Sequence, residues 1–225
     1  MSEKFKLQAS KYWVLVNTFL FIISIALLNL GYAPVYVILP MLAIPVVLST
    51  STIFIKIKTP IFHFAFALLG TVYISFPLIL LNMIQQESLQ MKIPFALAVF
   101  IIIWTNDTFA YLSGITFGKH KILKRVSPLK SWEGFFGGLI MVIPVVLIFH
   151  HYYPSFSLTK WVIFGLITAI FAVIGDFFES LIKRNADIKD SGKLLPGHGG
   201  LLDRIDSLLI AIPVIFIYLQ IALRI

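Results

Sequence analysis

Apolar runs of about 20 residues recur from one end of this chain to the other, and that pattern constrains its fold more than any other feature. In the hydrocarbon of a bilayer every backbone N–H and C=O must find a partner within the protein, so such runs read as transmembrane helices. Seven candidates are found, near residues 12–31, 35–55, 60–82, 93–116, 134–150, 161–182 and 202–223. Composition agrees, with 59% hydrophobic and only 12% charged residues, against roughly 25% charged in a soluble domain. The spans use most of the 225 residues, so the expected architecture is all-α: a polytopic membrane helical bundle forming one membrane-embedded domain over residues 1–225. Within it, residues 1–92 supply N-terminal hydrophobic helices and residues 93–225 form the half that carries chemistry. The basic opening residues lead into an apolar run with no small-residue cleavage site, so the first run is expected to be a retained span. Catalysis in such a chain must be built from helix ends and short loops. The absence of cysteine removes disulfides, thiolate catalysis and cysteine metal sites.

Charge sets the expected orientation. With the N-terminus in the cytoplasm, 15 of the 18 Lys and Arg residues fall on the cytoplasmic side, leaving Lys92, Lys160 and Arg224 outside. That is the bias of the positive-inside rule. Attraction to anionic headgroups, about 1 kcal/mol per basic residue, accounts for Lys56 and Lys58. It does not account for the two long cytoplasmic loops, which mix bases with ordered acids, glycines and prolines. Nucleic acid is not an expected partner, because no soluble platform presents the charge.

The informative half begins at Trp104. Acids beside membrane spans are expensive, about 2.5–3.5 kcal/mol near a helix centre, and three groups of them stand out. Asp107 lies in 104-WTNDTFAY-111, Asp176 and Glu179 close the sixth run, and Asp203 and Asp206 open the seventh. Each pair is spaced three apart and shares a helix face, and both pairs flank the same loop. Oxygen donors of this kind suit Mg²⁺, which takes one or two carboxylates and completes its shell with water and phosphate oxygens. Ion pairing of Glu179 with Lys183 at i,i+4, or a helix N-terminal charge effect for Asp203, would explain one acid. Neither explains acids on three helices at one membrane face.

The loop 183-KRNADIKDSGKLLPGHGG-200 supplies the complement of a phosphate site. Lys183, Arg184, Lys189 and Lys193 bring positive charge, while Gly197, Gly199 and Gly200 let backbone N–H groups approach a ligand. His198 stands beside those glycines, just ahead of a helix N-terminus that favours anions. In the loop 117–138, Ser127, Lys130, Ser131 and Glu133 are candidate ligand contacts, and the bases from Lys119 to Arg125 are candidates to hold lipid phosphate. The run 114-GITFGK-119 is one residue short of a phosphate-binding P-loop, and a small-xxx-small helix contact suits Gly114 and Gly118 better. There is no G-x-S-x-G elbow and no H-E-x-x-H pair. Acids, bases and glycines without an obvious protein nucleophile point to phosphoryl or nucleotidyl transfer, where positioning and electrostatics do most of the catalysis. An ion transporter using Asp107, Asp176 and Glu179 as a relay would need acids on both sides of the membrane, whereas the outer loops hold only Glu87.

The run 180-SLIKRNADIKDSGKLLPGHGGLLDRID-206 resembles the signature of the phosphatidate cytidylyltransferases, or CDP-diacylglycerol synthases. Ser180, Lys183, Arg184, Lys189, Asp190, Gly192, Pro196, His198, Gly199, Gly200, Asp203, Arg204 and Asp206 fall in register with it. The stretch 106-NDTFAYLSGITFGKHKILKRVSPLKSWEG-134 is similar to the family's upstream region, with Leu129 and Ser131 departing from its S-P-K-K-T-x-E-G form. The resemblance implies transfer from CTP to phosphatidate in membrane lipid, with Mg²⁺ as cofactor and room for a monovalent cation such as K⁺. It implies Asp176 and Asp203 as metal ligands supported by Asp206 and Asp107, with Asp176, Asp203, Asp206, Lys193 and His198 as the catalytic set. Substrate contacts are expected from Lys183, Arg184, Lys189, Gly199, Gly200, Arg204, Ser127, Lys130, Glu133 and Asn106. The implied location is the inner (cytoplasmic) membrane with the site on its cytoplasmic side, and a homodimer is one assembly left open. A related enzyme acting on a polyprenol phosphate or an archaeal ether-lipid phosphate would share this topology and metal chemistry.

Overall fold

The computed structural model describes residues 68–185, 187 and 202–224, together with positions 23, 25–27, 30, 31, 61 and 65. The expected span at 35–55, most of that at 12–31 and most of the start of 60–82 lie outside the described residues, as do Lys189, Lys193, His198, Gly199 and Gly200. The chain divides into two compact units, Met1–Met83 and Ile84–Ile225.

Five long helices are described. A π-helical turn, Thr71–Ser75, leads into α1 (Phe76–Met91), and α2 (Phe95–Phe117) follows. A short antiparallel hairpin, β1 (Lys121–Leu123) and β2 (Ser127–Ser131), then precedes α3 (Trp132–Tyr152), α4 (Leu158–Asn185) and α5 (Leu202–Ala222). Among the described residues, five helices are long and apolar enough to cross a membrane: Leu68–Met91, Phe95–Phe117, Trp132–Tyr152, Leu158–Asn185 and Asp203–Ala222. The protein is a multi-pass, all-α membrane protein, with one small hairpin among the described residues.

The last four apolar runs became helices within a few residues of their expected limits. The run expected at 60–82 differs, because its helix continues to Met91. The extension, 83-MIQQESLQM-91, is polar in part but consists mostly of good helix formers, so propensity carries the helix past the apolar stretch. It stops where Lys92 takes a left-handed conformation (φ 56°) and Pro94 follows.

Small residues bring α2 and α3 together. A Cβ on Gly134 would lie 2.6 Å from the carbonyl of Ala110, and one on Gly138 would lie 2.6 Å from Asn106 Oδ1. The contact is thus Ala110-x-x-x-Gly114 on α2 against Gly134-x-x-x-Gly138 on α3, the close approach that small residues permit in membranes. Gly114 takes the expected part, while Gly118 closes the C-terminus of α2, its N–H donating to the Gly114 carbonyl, and packs on Ser131. Helices α4 and α5 meet in the same manner at Gly175, where an added Cβ would lie 2.7 Å from the Asp206 carbonyl oxygen.

The far end of the bundle is held by aromatic packing. Phe95, Trp161 and Phe164 are fully buried, and Trp161 lies 5.2 Å from both Phe149 and Phe156, ring centre to ring centre. Polar ties finish that end. Lys160 Nζ donates to the Ala222 carbonyl (2.7 Å), Tyr218 Oη donates to the Lys160 carbonyl (2.7 Å), and Gln220 reaches Glu87 (3.2 Å).

Candidate functional site

At the opposite end, α2, the hairpin, the start of α3 and the middle of α4 enclose a cavity of about 750 Å³. Its polar lining is Asp107 from α2, Lys121, Ser127, Lys130 and Ser131 from the hairpin, and Asp176 from α4. Its apolar lining includes Tyr111, Ile115, Leu129 and Phe135. Tyr111 and Ile115 are about two-thirds exposed, so this side of the cavity faces outward from the helices.

Each polar group arrives there for a local reason. Helix α2 runs unbroken through Asp107 rather than being interrupted, so the acid sits ten residues before the helix end at Phe117. Asn106 beside it is fully buried, sends Nδ2 toward Asp107 Oδ1 (3.5 Å) and packs on Gly138. The hairpin turns the chain back between α2 and α3, and Ser131 caps α3 by accepting the Gly134 N–H (3.2 Å). That return carries Lys130 across to α4, where its ammonium donates to Asp176 and lies 4.4 Å from the centre of the Phe177 ring. Asp176 also accepts from Ser180 Oγ at 3.4 Å.

A second polar cluster joins α4 to α5. Lys183 forms ion pairs with Glu179, one turn before it, and with Asp203 at 3.0 Å. Glu179 is almost fully buried (1% exposed), so the ammonium compensates a carboxylate that water cannot reach. Asp206 accepts from the Ser207 N–H (2.7 Å), and its backbone packs on Gly175, the residue before Asp176.

The structure therefore brings Asp107, Ser127, Lys130 and Asp176 into one cavity, and Lys183 and Asp203 into an adjoining cluster next to Asp206. Arg184 and Arg204 lie exposed at the ends of α4 and α5. Glu133 is turned to His120 and does not line the cavity. Lys121, one of the bases between Lys119 and Arg125 expected to meet phosphate, lines the cavity, whereas Tyr111 and Gly175 are not expected from the sequence. A glycine directly before an acid in a long helix is a usable sign of close approach, but nothing in the sequence marks Tyr111.

The chain is thus a polytopic membrane protein in which two acids and two lysines line a cavity walled partly by outward-facing apolar side chains. Comparison makes the class specific. Residues 1–222 match the Cytidylyltransferase family, and the chain belongs to it. A phosphatidate cytidylyltransferase of Haemophilus influenzae is 47% identical over 122 residues, covering 52% of this chain and 42% of that protein. Those of Staphylococcus aureus and Staphylococcus haemolyticus are each 35% identical over 183 residues, covering 80% of this chain and 68% of theirs.

Proposed function

We propose that the chain transfers the cytidylyl group of CTP to phosphatidate, giving CDP-diacylglycerol and pyrophosphate, as a Mg²⁺-dependent step of phospholipid biosynthesis. A phosphate oxygen of phosphatidate bonds to the α-phosphorus of CTP as the bond to the β-phosphate breaks, and pyrophosphate leaves. The observation that carries this reading is the cavity itself, with Asp107, Lys130 and Asp176 at its polar wall and Tyr111, Ile115 and Leu129 at its apolar wall. Family membership and the names of the relatives support it.

The donor set suits Mg²⁺. Two carboxylates line one cavity, while no group of three or more His, Cys, Asp or Glu is gathered among the described residues. Such a set fits an ion shared with nucleotide phosphates rather than an all-protein cage. We assign Asp176 and Asp203 as ligands, with Asp206 and Asp107 supporting them, and K⁺ as a second cation. Bound Mg²⁺ supplies neutralisation of phosphate charge. The protein's own groups do the rest. Asp176 and Asp203 would hold the cation, and Lys130 and Lys183, which pair with them in this structure, would turn to the phosphates. Ser127 hydrogen-bonds the lipid phosphate in the cavity, and Asn106 orients Asp107. From the resembling signature, Gly199 and Gly200 cradle phosphate, while Lys189, Lys193, His198, Arg184 and Arg204 neutralise it.

In this reading residues 1–225 form one domain with seven spans, the N-terminus lies in the cytoplasm, and residues 93–225 are catalytic. The site faces the cytoplasm from the inner membrane, and two copies pair as a homodimer, which cross-linking in native membranes would reveal.

The test uses purified protein in mixed micelles of detergent and phosphatidate, with CTP labelled in its cytidine. Label is expected to enter the lipid phase, to stop on chelation and to resume on adding Mg²⁺. Label entering only polyprenol phosphate or unsaturated archaeal ether-lipid phosphate would reassign the acceptor. No label in any of the three would end the transferase reading.

A further inference from the structure

We infer that Glu133 is a positioning residue: its carboxylate clasps His120 and so fastens the hairpin that carries Ser127 and Lys130 into the cavity. The significance of that placement rests on the transfer reading above, but the clasp itself is independent of it.

The hairpin needs fastening. β1 has 3 residues, β2 has 5, and their register is irregular between Lys121 and Leu123. A lone two-stranded hairpin is marginal at best. Its base is closed by residues just inside α3. Trp132 N–H donates to the His120 carbonyl (2.9 Å), while the His120 N–H donates to both Glu133 oxygens (3.1 and 3.2 Å). The His120 Nδ1 also lies 2.6 Å from Glu133 Oε1. Both backbone groups of His120 are thus held by two consecutive residues at the start of a rigid helix. Further along, Lys121 Nζ reaches across to the Leu129 carbonyl (3.2 Å).

Where Glu133 points decides its role. Ser131, Gly134 and Phe135 line the cavity, and Glu133 between them does not. Its side chain is 25% exposed and its carboxylate meets His120, whose side chain is 81% exposed. Glu133 therefore acts through what the hairpin carries. Lys130 lies 46 residues from Asp176 in the chain, and the hairpin's placement is what closes that distance.

The experiment compares Glu133→Ala, Glu133→Gln and His120→Ala in detergent, by hydrogen exchange of the 119–131 peptides and by transfer kinetics. A charge-assisted bond to a backbone N–H lost in E133A should speed exchange of those peptides by about tenfold or more, with α4 and α5 unaffected. E133Q keeps a carbonyl acceptor and should stay much closer to wild type, and H120A, which keeps its backbone N–H, should fall between. In kinetics E133A should raise KM for the phosphate-bearing substrates more than it lowers kcat, and E133Q should largely rescue it. Should E133A not fold, the E133Q and H120A pair still decides the matter. Unchanged hairpin exchange in E133A overturns the clasp. So does an E133Q as damaging as E133A in turnover with exchange unchanged in both, which would make the carboxylate a direct ligand contact. If wild-type protein transfers no label, the function proposed above fails while hydrogen exchange still judges the clasp.

Discussion

Replacing Gly175 by alanine places a methyl group where α4 and α5 touch. Its Cβ would lie 2.7 Å from the Asp206 carbonyl oxygen, 3.0 Å from that of Ser207 and 3.1 Å from Ser207 Cα. All three are backbone atoms, so no side chain can turn aside. Restoring ordinary contact at 3.4 Å requires the two helices to part by ~0.7 Å. Overpacking of this kind costs about 1–3 kcal/mol. It also moves the first turn of α5, with Asp203 and Asp206, away from Asp176 on the next residue of α4. A misplacement near 1 Å costs on the order of 100-fold in rate, so kcat should fall by roughly 10- to 100-fold. Gly165→Ala, on the same helix, is the control. Its Cβ would press on methyl groups of Val142 and Val146 in α3, which should cost comparable stability and leave turnover per folded molecule within about twofold of wild type. The assay pairs thermal unfolding in detergent with label transfer per folded protein. If both variants lose stability but G175A turns over normally, the α4–α5 contact does not set the catalytic geometry and the reasoning is refuted.

Two further perturbations probe the polar ties. Lys183→Met removes the ammonium that compensates the buried Glu179 carboxylate and should destabilise by about 3 kcal/mol or more, with the added change Glu179→Gln recovering much of the loss. Equal melting of K183M and wild type would show that the pair is not shielded as described. Tyr218→Phe removes the hydrogen bond to the Lys160 carbonyl (2.7 Å) and should cost about 1 kcal/mol. Because it lies at the aromatic end of α5, transfer per folded molecule should not change, and a loss of rate without loss of stability would contradict that separation.

What could be read from residues alone divides by distance along the chain. Helix existence was legible at 93–116, 134–150, 161–182 and 202–223, because an apolar run of span length has few other folds open to it. The tail of α1 was not, since Gln85 to Met91 form a helix by propensity and not by hydropathy. The hairpin was missed as well. Neither KIL nor SPLKS has an alternation long enough to mark a strand, and what makes them strands is their pairing with one another. In the site, Glu179 with Lys183 was readable as an i,i+4 pair. Lys130 with Asp176, and Lys183 with Asp203, were not, because each joins separate elements and depends on glycine contacts that fix how closely the helices pack. The acids themselves were conspicuous by their cost in a membrane, which is why Asp107 and Asp176 could be proposed before their shared cavity was known.

The central claim is that the cavity holding Asp107, Lys130 and Asp176 is where cytidylyl transfer occurs. Asp176→Asn keeps the side chain's size and its approach to Lys130 but removes the charge. The decisive comparison is the rate at which wild type and D176N move labelled cytidine from CTP into phosphatidate micelles across a Mg²⁺ titration. A loss of about 100-fold or more, with unchanged thermal unfolding, is the predicted result. Normal turnover with normal Mg²⁺ dependence in D176N would place the chemistry somewhere else in the molecule.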